Sequence, residues 1–213
     1  MYLNISEIFR SIQGESTYIG LPCVFVRTQG CNLSCNYCDT KYSVETHKNA
    51  SLQMSIKEIL FQINSYQHTN LVQITGGEPL FQENIYDLMQ SLHKQNFTIL
   101  LETNGSIDLS KVPNYVCKIV DIKTPSSGHS DSFLIENLRH INPLKDNLKL
   151  VLSDLNDYIW MKNFLELHNL YGWHILISTA YNTITPSIIT NNIINDNLNV
   201  RFQIQLHKYI NIV

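Results

Sequence analysis

Three of the chain's five cysteines lie within eight residues, as Cys31, Cys35 and Cys38. A structural zinc ion takes four protein ligands, and a common iron–sulfur cluster takes four cysteines. A group of three therefore indicates a metal centre with one position open to a ligand or substrate. Two other interpretations stay open: a zinc site completed by a distant histidine or by Cys117, and a group of buried thiols without a metal. The narrow spacing favours the open cluster.

This spacing resembles that of the radical S-adenosylmethionine (SAM) superfamily. In that superfamily three cysteines hold a [4Fe–4S] cluster, and the fourth iron binds the amino and carboxylate groups of SAM. Tyr37 matches the aromatic residue that usually precedes the third cysteine. The resemblance implies that Cys31, Cys35 and Cys38 are cluster ligands and that SAM is the second cofactor.

Composition narrows the class of protein. With 213 residues, 44% of them hydrophobic and 15% charged, the chain is expected to form one globular domain over residues 1–213. No apolar run reaches the roughly 18 residues of a membrane span. A net charge of -3 without a basic block argues against direct nucleic-acid binding. The first residues lack the pattern of a signal peptide, so the expected location is the cytoplasm, where thiols stay reduced.

The pattern of strands and helices predicts the fold class. Strands are expected over residues 3–9, 22–29, 71–75, 98–101, 116–120, 147–152, 173–177 and 200–204, and helices over 56–66, 83–95, near 131–139, 155–168 and 186–195. This order predicts an α/β fold with a mostly parallel sheet and helices outside. Fewer than eight β–α units fit, so we expect a partial, open (β/α) barrel. The polar motifs follow strands and should meet at the carboxyl edge of the sheet.

Two features near the predicted strands allow more than one interpretation. Gly76-Gly77-Glu78-Pro79 follows a buried strand. It is either a plain tight turn or the glycine-rich motif whose backbone binds the SAM amino group in radical SAM enzymes. Arg27 interrupts an apolar strand, and a buried charge is costly unless it is paired. It either extends to solvent at the strand end or faces the site, where a substrate carboxylate would suit its forked donors.

Seven segments along the whole chain resemble the 7-carboxy-7-deazaguanine synthase family. They are residues 7–15 (Glu-Ile-Phe-Arg-Ser-Ile-Gln-Gly-Glu), 25–27, 30–33, 38–40 (Cys-Asp-Thr), 75–79, 102–105 and 205–208. Two positions depart from the family pattern. Ser16 stands where the family usually has glycine, and Asp121-Ile122 stands where relatives often have Ser-Pro before the lysine.

That resemblance implies a reaction and its site residues. A radical derived from SAM converts 6-carboxy-5,6,7,8-tetrahydropterin to 7-carboxy-7-deazaguanine with loss of ammonia, in queuosine and deazapurine biosynthesis. The implied substrate ligands are Ile12, Gln13, Gly14, Glu15, Arg27, Thr75, His207 and the terminal carboxylate of Val213. The implied SAM ligands are Tyr37, Cys38, Asp39, Gly76, Gly77, Glu78, Thr103, Asp121, Ile122, Lys123, Ser178 and Thr179. Thr40 is the implied Mg²⁺ ligand. The implied partners are an electron donor such as a flavodoxin and a second copy in a homodimer.

Two rival functions can be compared with this one. Another small radical SAM enzyme, such as a glycyl-radical activase, would need an open face for a protein substrate. It would not need the loop over residues 11–15, Arg27 and Thr40 together. A zinc-binding interaction module would be colourless and contain zinc. We identify no side chain as a general acid or base, because the difficult chemistry belongs to the cofactor.

Overall fold

In the computed structural model, which describes residues 1–44, 52–210 and 212, nine strands form one sheet. The strands are β1 (Tyr2–Ile12), β2 (Pro22–Thr28), β3 (Leu52–Ser55), β4 (Leu71–Gly76), β5 (Thr98–Thr103), β6 (Cys117–Asp121), β7 (Asn147–Leu152), β8 (His174–Thr179) and β9 (Arg201–Phe202). The helices are α1 (Lys41–Val44), α2 (Ile56–Ser65), α3 (Ile85–Lys94), α4 (Leu155–Leu167), α5 (Pro186–Asn195) and α6 (Leu206–Tyr209). In this part of the chain, no helix is long and apolar enough to cross a membrane.

The sheet is mostly parallel and does not close. Its strand order is β3-β1-β2-β4-β5-β6-β7-β8-β9. Strand β1 is antiparallel to β2 and β3, and every pairing from β2 through β4 to β9 is parallel. Strands β3 and β9 lie at opposite edges. The predicted α/β fold, an open partial barrel, is therefore confirmed.

The two faces of the sheet are both buried but differ in chemistry. On strand β7, Leu148, Leu150 and Leu152 join the main core, which also contains buried residues of helices α2 to α5. Asn147 and Lys149 alternate with them and point to the opposite, inner face, because side chains alternate along a strand. This alternation places polar groups inside the open barrel and leucines beneath the helices.

Local sequence explains where the helices begin. Ser55 caps α2 in a full capping box, since its hydroxyl accepts from the Glu58 amide and the Glu58 carboxylate accepts from the Ser55 amide. Asp154 caps α4 through the Asp157 amide. The helix predicted near 131–139 is instead a 3₁₀ segment over Ile135–His140. Buried Asn137 explains the difference, because its side chain is hydrogen-bonded to the backbone of the loop after β5: it donates to the Gly105 and Ile107 carbonyls and accepts from the Leu109 amide.

Candidate active site

A cavity of about 610 Å³ opens on the inner face at the carboxyl edge of the sheet, within the size range of small-molecule sites. Most predicted site residues line it: Ile12, Gln13, Gly14, Glu15, Arg27, Cys31, Cys35, Tyr37, Cys38, Asp39, Thr40, Thr75, Gly76, Gly77, Thr103, Asp121, Lys123 and His207. They come from segments far apart in sequence. The structure therefore brings together the cysteine loop, the paired glycines and the polar strand ends, as the carboxyl-edge prediction requires.

The paired glycines and the cysteine loop pack backbone against backbone. The Glu78 amide donates to the Gly30 carbonyl at 2.8 Å. A β-carbon on Gly77 would overlap that same carbonyl oxygen and would meet the β-carbon of Cys31 at 2.9 Å. Gly76 has a φ of 146°, which L side chains rarely adopt. Both glycines are thus required by the fold of this edge, and their bare backbone borders the cavity.

The three cysteines line the cavity but are not arranged to bind a single metal ion together. Their thiols line the cavity at intermediate exposure. The Cys31 sulfur accepts a hydrogen bond from the Leu33 amide at 3.4 Å. Among the described residues, no three Cys, His, Asp or Glu side chains are arranged to hold a single metal ion. A cubane cluster needs no such convergence, because each thiolate binds a different iron.

Cys117 is not placed to complete a zinc site. It lies in the small apolar cluster on the inner face with Cys23 and Phe25. Its thiol donates to the Lys145 carbonyl at 3.2 Å, and burial raises its pKa to about 11. Cys117 is a core residue, as its isolated position within a strand suggests.

A buried lysine forms the polar floor of the cavity. The Nζ of Lys149 lies 2.6 Å from a carboxylate oxygen of Glu15, 2.6 Å from one of Glu102 and 3.6 Å from one of Asp121. The second oxygen of Glu102 accepts from the Gln73 amide at 2.8 Å and the Thr75 hydroxyl at 3.1 Å. Four elements of the barrel are therefore joined through one ammonium group.

This network favours the ionised forms of Lys149, Glu15 and Asp121. Burial alone would lower the pKa of Lys149, but the carboxylates of Glu102 and Glu15 outweigh it and raise that pKa well above its usual value. Burial likewise opposes ionisation of Glu15 and Asp121. Lys149 nevertheless holds the pKa of Glu15 below its usual value. Lys123, 2.9 Å from Asp121, has the larger lowering effect on the pKa of that carboxyl.

Arg27 faces the cavity and does not extend to solvent. Its Nε donates to the Glu7 carboxylate at 2.7 Å, and the Tyr42 hydroxyl donates to the same oxygen at 2.7 Å. Glu7 and Arg27 are paired across strands β1 and β2, so the ion pair follows directly from the register. Of the two interpretations of Arg27, the structure supports the one in which it lines the site.

The segment after β9 covers one side of the cavity. The Gln205 amide donates to the Glu15 carboxylate at 2.5 Å, and Lys208 binds Asp39 at 2.7 Å. The ring of His207 lies against Gly14 so closely that a β-carbon there would overlap it. Burial lowers the pKa of His207 and favours its neutral form. The Gly14 position therefore has no room for a side chain.

Ser16 adopts a backbone conformation that glycine reaches without strain. Its φ is 68°, in the left-handed region that costs an L residue about 1 kcal/mol. The side chain partly compensates, because its hydroxyl accepts from the Tyr18 amide at 3.1 Å. Its own amide donates to Gln203 at 3.1 Å. The serine thus keeps the glycine-type turn.

Four predicted SAM ligands do not line the cavity. Glu78 is fully buried, and its carboxylate accepts from the Leu80 and Asn104 amides and the Thr103 hydroxyl. Ile122 belongs to the main core. Ser178 and Thr179 end β8 behind the cavity wall, which Ala180 and Tyr181 form instead. Val213, the remaining predicted substrate ligand, lies outside the described residues.

Sequence reasoning missed several polar residues of the cavity, chiefly Lys149, Gln73 and Glu7. A signal for two of them was present. Lys149 and Gln73 each interrupt an apolar strand, as Arg27 does, and a buried charge or amide needs a partner. Applying that argument to every strand would have found both.

Comparison with known proteins identifies the family. A synthase named 7-carboxy-7-deazaguanine synthase from Koribacter versatilis is 38% identical over 98% of this chain and 96% of its own length. The protein of that name from Chlorobaculum tepidum is also 38% identical, over 98% of this chain and 94% of its own. The chain belongs to the 7-carboxy-7-deazaguanine synthase family. The family model of the Radical SAM superfamily matches residues 25–125.

Solved structures agree on the fold of this synthase family. QueE from Escherichia coli superposes with a TM-score of 0.79 at 24% identity, covering 95% of this chain and 94% of that one. SuiB from Streptococcus suis, bound to S-adenosylmethionine, has a TM-score of 0.57 at 15% identity, covering 82% of this chain and 48% of that one. At these identities the likeness concerns the fold alone.

Membership of the radical SAM synthase family implies a [4Fe–4S] cluster and SAM as cofactors. The residues of the site fit both groups. Three thiols border the cavity without a fourth, and the Leu33 amide already donates to one sulfur, as amides do around iron–sulfur clusters. The exposed backbone of Gly76 and Gly77 gives a ligand close access beside Cys31. Membership of this family also excludes the rival interpretation of the chain as a zinc-binding interaction module.

Proposed function

We propose that this chain is a ring-contracting lyase that converts 6-carboxy-5,6,7,8-tetrahydropterin to 7-carboxy-7-deazaguanine with loss of ammonia, in queuosine and deazapurine biosynthesis. One observation carries the proposal. A single cavity holds the three cysteines, the paired glycines and a floor of ionised side chains, in a chain of the synthase family. We assign this activity to one radical SAM domain over residues 1–213.

The cofactors would occupy the cysteine side of the cavity. Cys31, Cys35 and Cys38 would hold the cluster, which when bound supplies an electron to SAM and so generates the 5′-deoxyadenosyl radical that takes hydrogen from the substrate. Bare backbone at Gly76 and Gly77 supports a contact with the SAM amino group. The other proposed SAM contacts are Tyr37, Cys38, Asp39, Thr103, Asp121 and Lys123, all at the cavity wall.

The substrate would occupy the opposite side. Its pyrimidine ring needs acceptors for N–H groups, which the Glu15 carboxylate would supply, and Ile12, Gln13 and Gly14 line the same part of the cavity and would contact the ring beside it. Arg27 would bind the substrate carboxylate, with its orientation fixed by Glu7. Thr75 would add a hydroxyl contact and His207 would close the ring pocket.

The remaining elements of the proposal concern metal, electron donor and assembly. Thr40 would be one ligand of Mg²⁺, the other ligands being substrate oxygens and water. A flavodoxin-type donor would reduce the cluster, which the intermediate exposure of its three cysteines permits. A homodimer is supported by exposed apolar residues at the β3 edge, where Leu52 is 68% and Phe61 81% exposed. Five free cysteines support a cytoplasmic, reducing location.

The decisive experiment is incubation of the anaerobically reconstituted, reduced enzyme with SAM and the carboxypterin. We expect the deazapurine, identified by mass, and ammonia in equal amounts. Arg27→Ala should weaken carboxypterin binding while uncoupled SAM cleavage continues. Loss of cleavage with unchanged carboxypterin affinity would place Arg27 elsewhere. Failure of the unmodified enzyme to form the deazapurine would refute the proposed reaction.

A further inference from the structure

Lys149 carries one positive charge but has three carboxylates around it. Three carboxylates approach its ammonium from different elements: Glu15 from the loop after β1, Glu102 from β5 and Asp121 from β6. Lys149 is buried, and a buried ion is stabilised only when its partners compensate its lost hydration. A leucine, as at the neighbouring Leu148 and Leu150, would fill a strand position without that cost.

The carboxylates retain acceptor capacity after binding Lys149. A carboxylate has about four lone-pair sites. Glu15 uses one oxygen for Lys149 and the other for Gln205. Glu102 uses one oxygen for Lys149 and the other for Gln73 and Thr75. Both carboxylates border the cavity, so their remaining sites can accept hydrogen bonds from a ligand.

The local charge also favours a ligand rich in donors. Glu15, Glu102 and Asp121 contribute three negative charges, whereas Lys149 and Lys123 contribute two positive ones. A ligand edge carrying several N–H groups would complement this excess. An edge of acceptors would meet repulsion instead.

We propose that Lys149 is a positioning residue for the substrate: it fixes Glu15 and Glu102 as a pair of ionised acceptors for the N–H groups of an aminopyrimidinone ring. This inference rests on the proposed function and deepens it, because it assigns a specificity-determining role to a lysine that does not itself react. The pair of carboxylates held by Lys149 favours bicyclic substrates whose ring edge carries N–H donors over substrates whose ring edge carries acceptors.

The proposal has a consequence for protonation. The oxygens of Glu15 and Glu102 that bind Lys149 share one nitrogen at 2.6 Å, so they lie close together. Without the ammonium, two such carboxylates repel each other and one takes up a proton. A protonated carboxyl presents a donor where the substrate also presents one. The other charged or titratable groups near this pair are Asp121, Lys123, His207, Asp39 and Lys208, and they remain in the variant.

The test compares Lys149→Met with a matched control, Lys118→Met. Lys118 is also buried and ion-paired but does not line the cavity. On cluster-loaded protein at pH 7 we expect carboxypterin affinity to fall about tenfold or more in Lys149→Met, the effect of losing a charged hydrogen bond. Affinity should recover as the pH rises, whereas the unmodified protein and Lys118→Met should show little pH dependence. Lys149→Arg should restore most of the affinity.

A second readout does not depend on the substrate. Infrared spectroscopy of Lys149→Met should show the band of a protonated carboxyl at neutral pH that is absent from the unmodified protein, and Glu15→Gln or Glu102→Gln in the variant should remove it. Unchanged, pH-independent carboxypterin affinity and no such band would overturn the inference. If the band appears in Lys149→Met but the unmodified protein binds no carboxypterin, the proposed function and the role of Lys149 in substrate binding are refuted. The effect of Lys149 on the ionisation of Glu15 and Glu102 would still be supported. Should Lys149→Met not fold, Lys149→Gln serves the same test.

Discussion

Two buried lysines on neighbouring strands have different surroundings. Lys118, near the start of β6, binds Asp146 at 3.0 Å, and both side chains are almost inaccessible to solvent. Asp146 also accepts from the amides of Lys118 and Asn142, each at 2.9 Å. All these partners come from β6 and the segment just before β7. The pair therefore closes one local connection at the amino edge of the sheet.

Lys149, on β7, differs in the number and origin of its partners. Its carboxylates come from three separated elements and border the cavity. Burial and ion pairing alone therefore do not distinguish a functional lysine from a structural one. The distinguishing features are excess partner charge, unused acceptor capacity and a position at the carboxyl edge, where α/β sheets place their sites.

The largest effect is expected from replacing a cysteine at the cavity, compared with replacing the core cysteine Cys117. Cys35→Ser should abolish cluster assembly, because the cluster needs all three thiolates of Cys31, Cys35 and Cys38 as iron ligands. Activity should then fall to the assay background. Iron content should drop from about four per chain, measured by iron analysis and absorbance after anaerobic reconstitution. Cys117→Ser, in the inner apolar cluster, should retain the cluster. Full iron content in Cys35→Ser would remove the basis of the site assignment.

The next effect tests Lys118 as a structural residue. Lys118→Met removes the buried partner of Asp146 and leaves the partly exposed Lys145, 3.4 Å away, so the free energy of unfolding should fall by about 3 kcal/mol, the lower end of the cost of breaking a buried ion pair. Urea unfolding of the unmodified and variant proteins measures this change. The affinity of the folded variant for carboxypterin should not change. A large loss of affinity with unchanged stability would reverse the distinction between the two lysines.

Glu78 is a buried carboxyl whose hydrogen bonds come from neutral donors and which, among the described residues, forms no ion pair with a lysine. Burial raises its pKa to about 7. A carboxyl whose pKa is raised on folding stabilises the protein at low pH, and that contribution is lost as the pH rises from about 4.5 to about 7. The loss corresponds to about 3 kcal/mol.

Comparison with Glu78→Gln isolates this contribution. The variant cannot ionise at that position, so its free energy of unfolding relative to the unmodified protein should increase across the same pH interval. Urea unfolding at several pH values measures the difference. A difference that stays constant over that interval and decreases as the pH rises towards 4.5 would show that Glu78 has a lowered pKa, as Glu15 does.

The smallest effect is expected at the rim, where Lys208 binds Asp39 at 2.7 Å with both side chains partly in solvent. Lys208→Met should change the free energy of unfolding by less than about 1 kcal/mol, and the change should shrink further at high salt. A loss comparable with that of Lys118→Met would mean that the segment after β9 is fixed mainly by this pair.

The fold was largely predictable because its signals are local or periodic. The alternation of apolar strands with amphipathic helices predicted the parallel, open sheet and the helices that cover it. The segment near 131–139 was assigned as a helix because pattern alone does not show that Asn137 bonds a loop distant in sequence. Tertiary hydrogen bonds overrode the local preference there.

The sequence by itself determined the cysteine trio, the paired glycines and the edge of the sheet at which they meet. Spacing and strand order are properties of the linear chain, and parallel strands bring their carboxyl ends together. Only the tertiary structure decided that Lys149 joins Glu15, Glu102 and Asp121, that Arg27 turns inward to Glu7, and that His207 covers Gly14. These contacts join residues far apart in sequence, and their strength depends on burial, which the linear chain does not record.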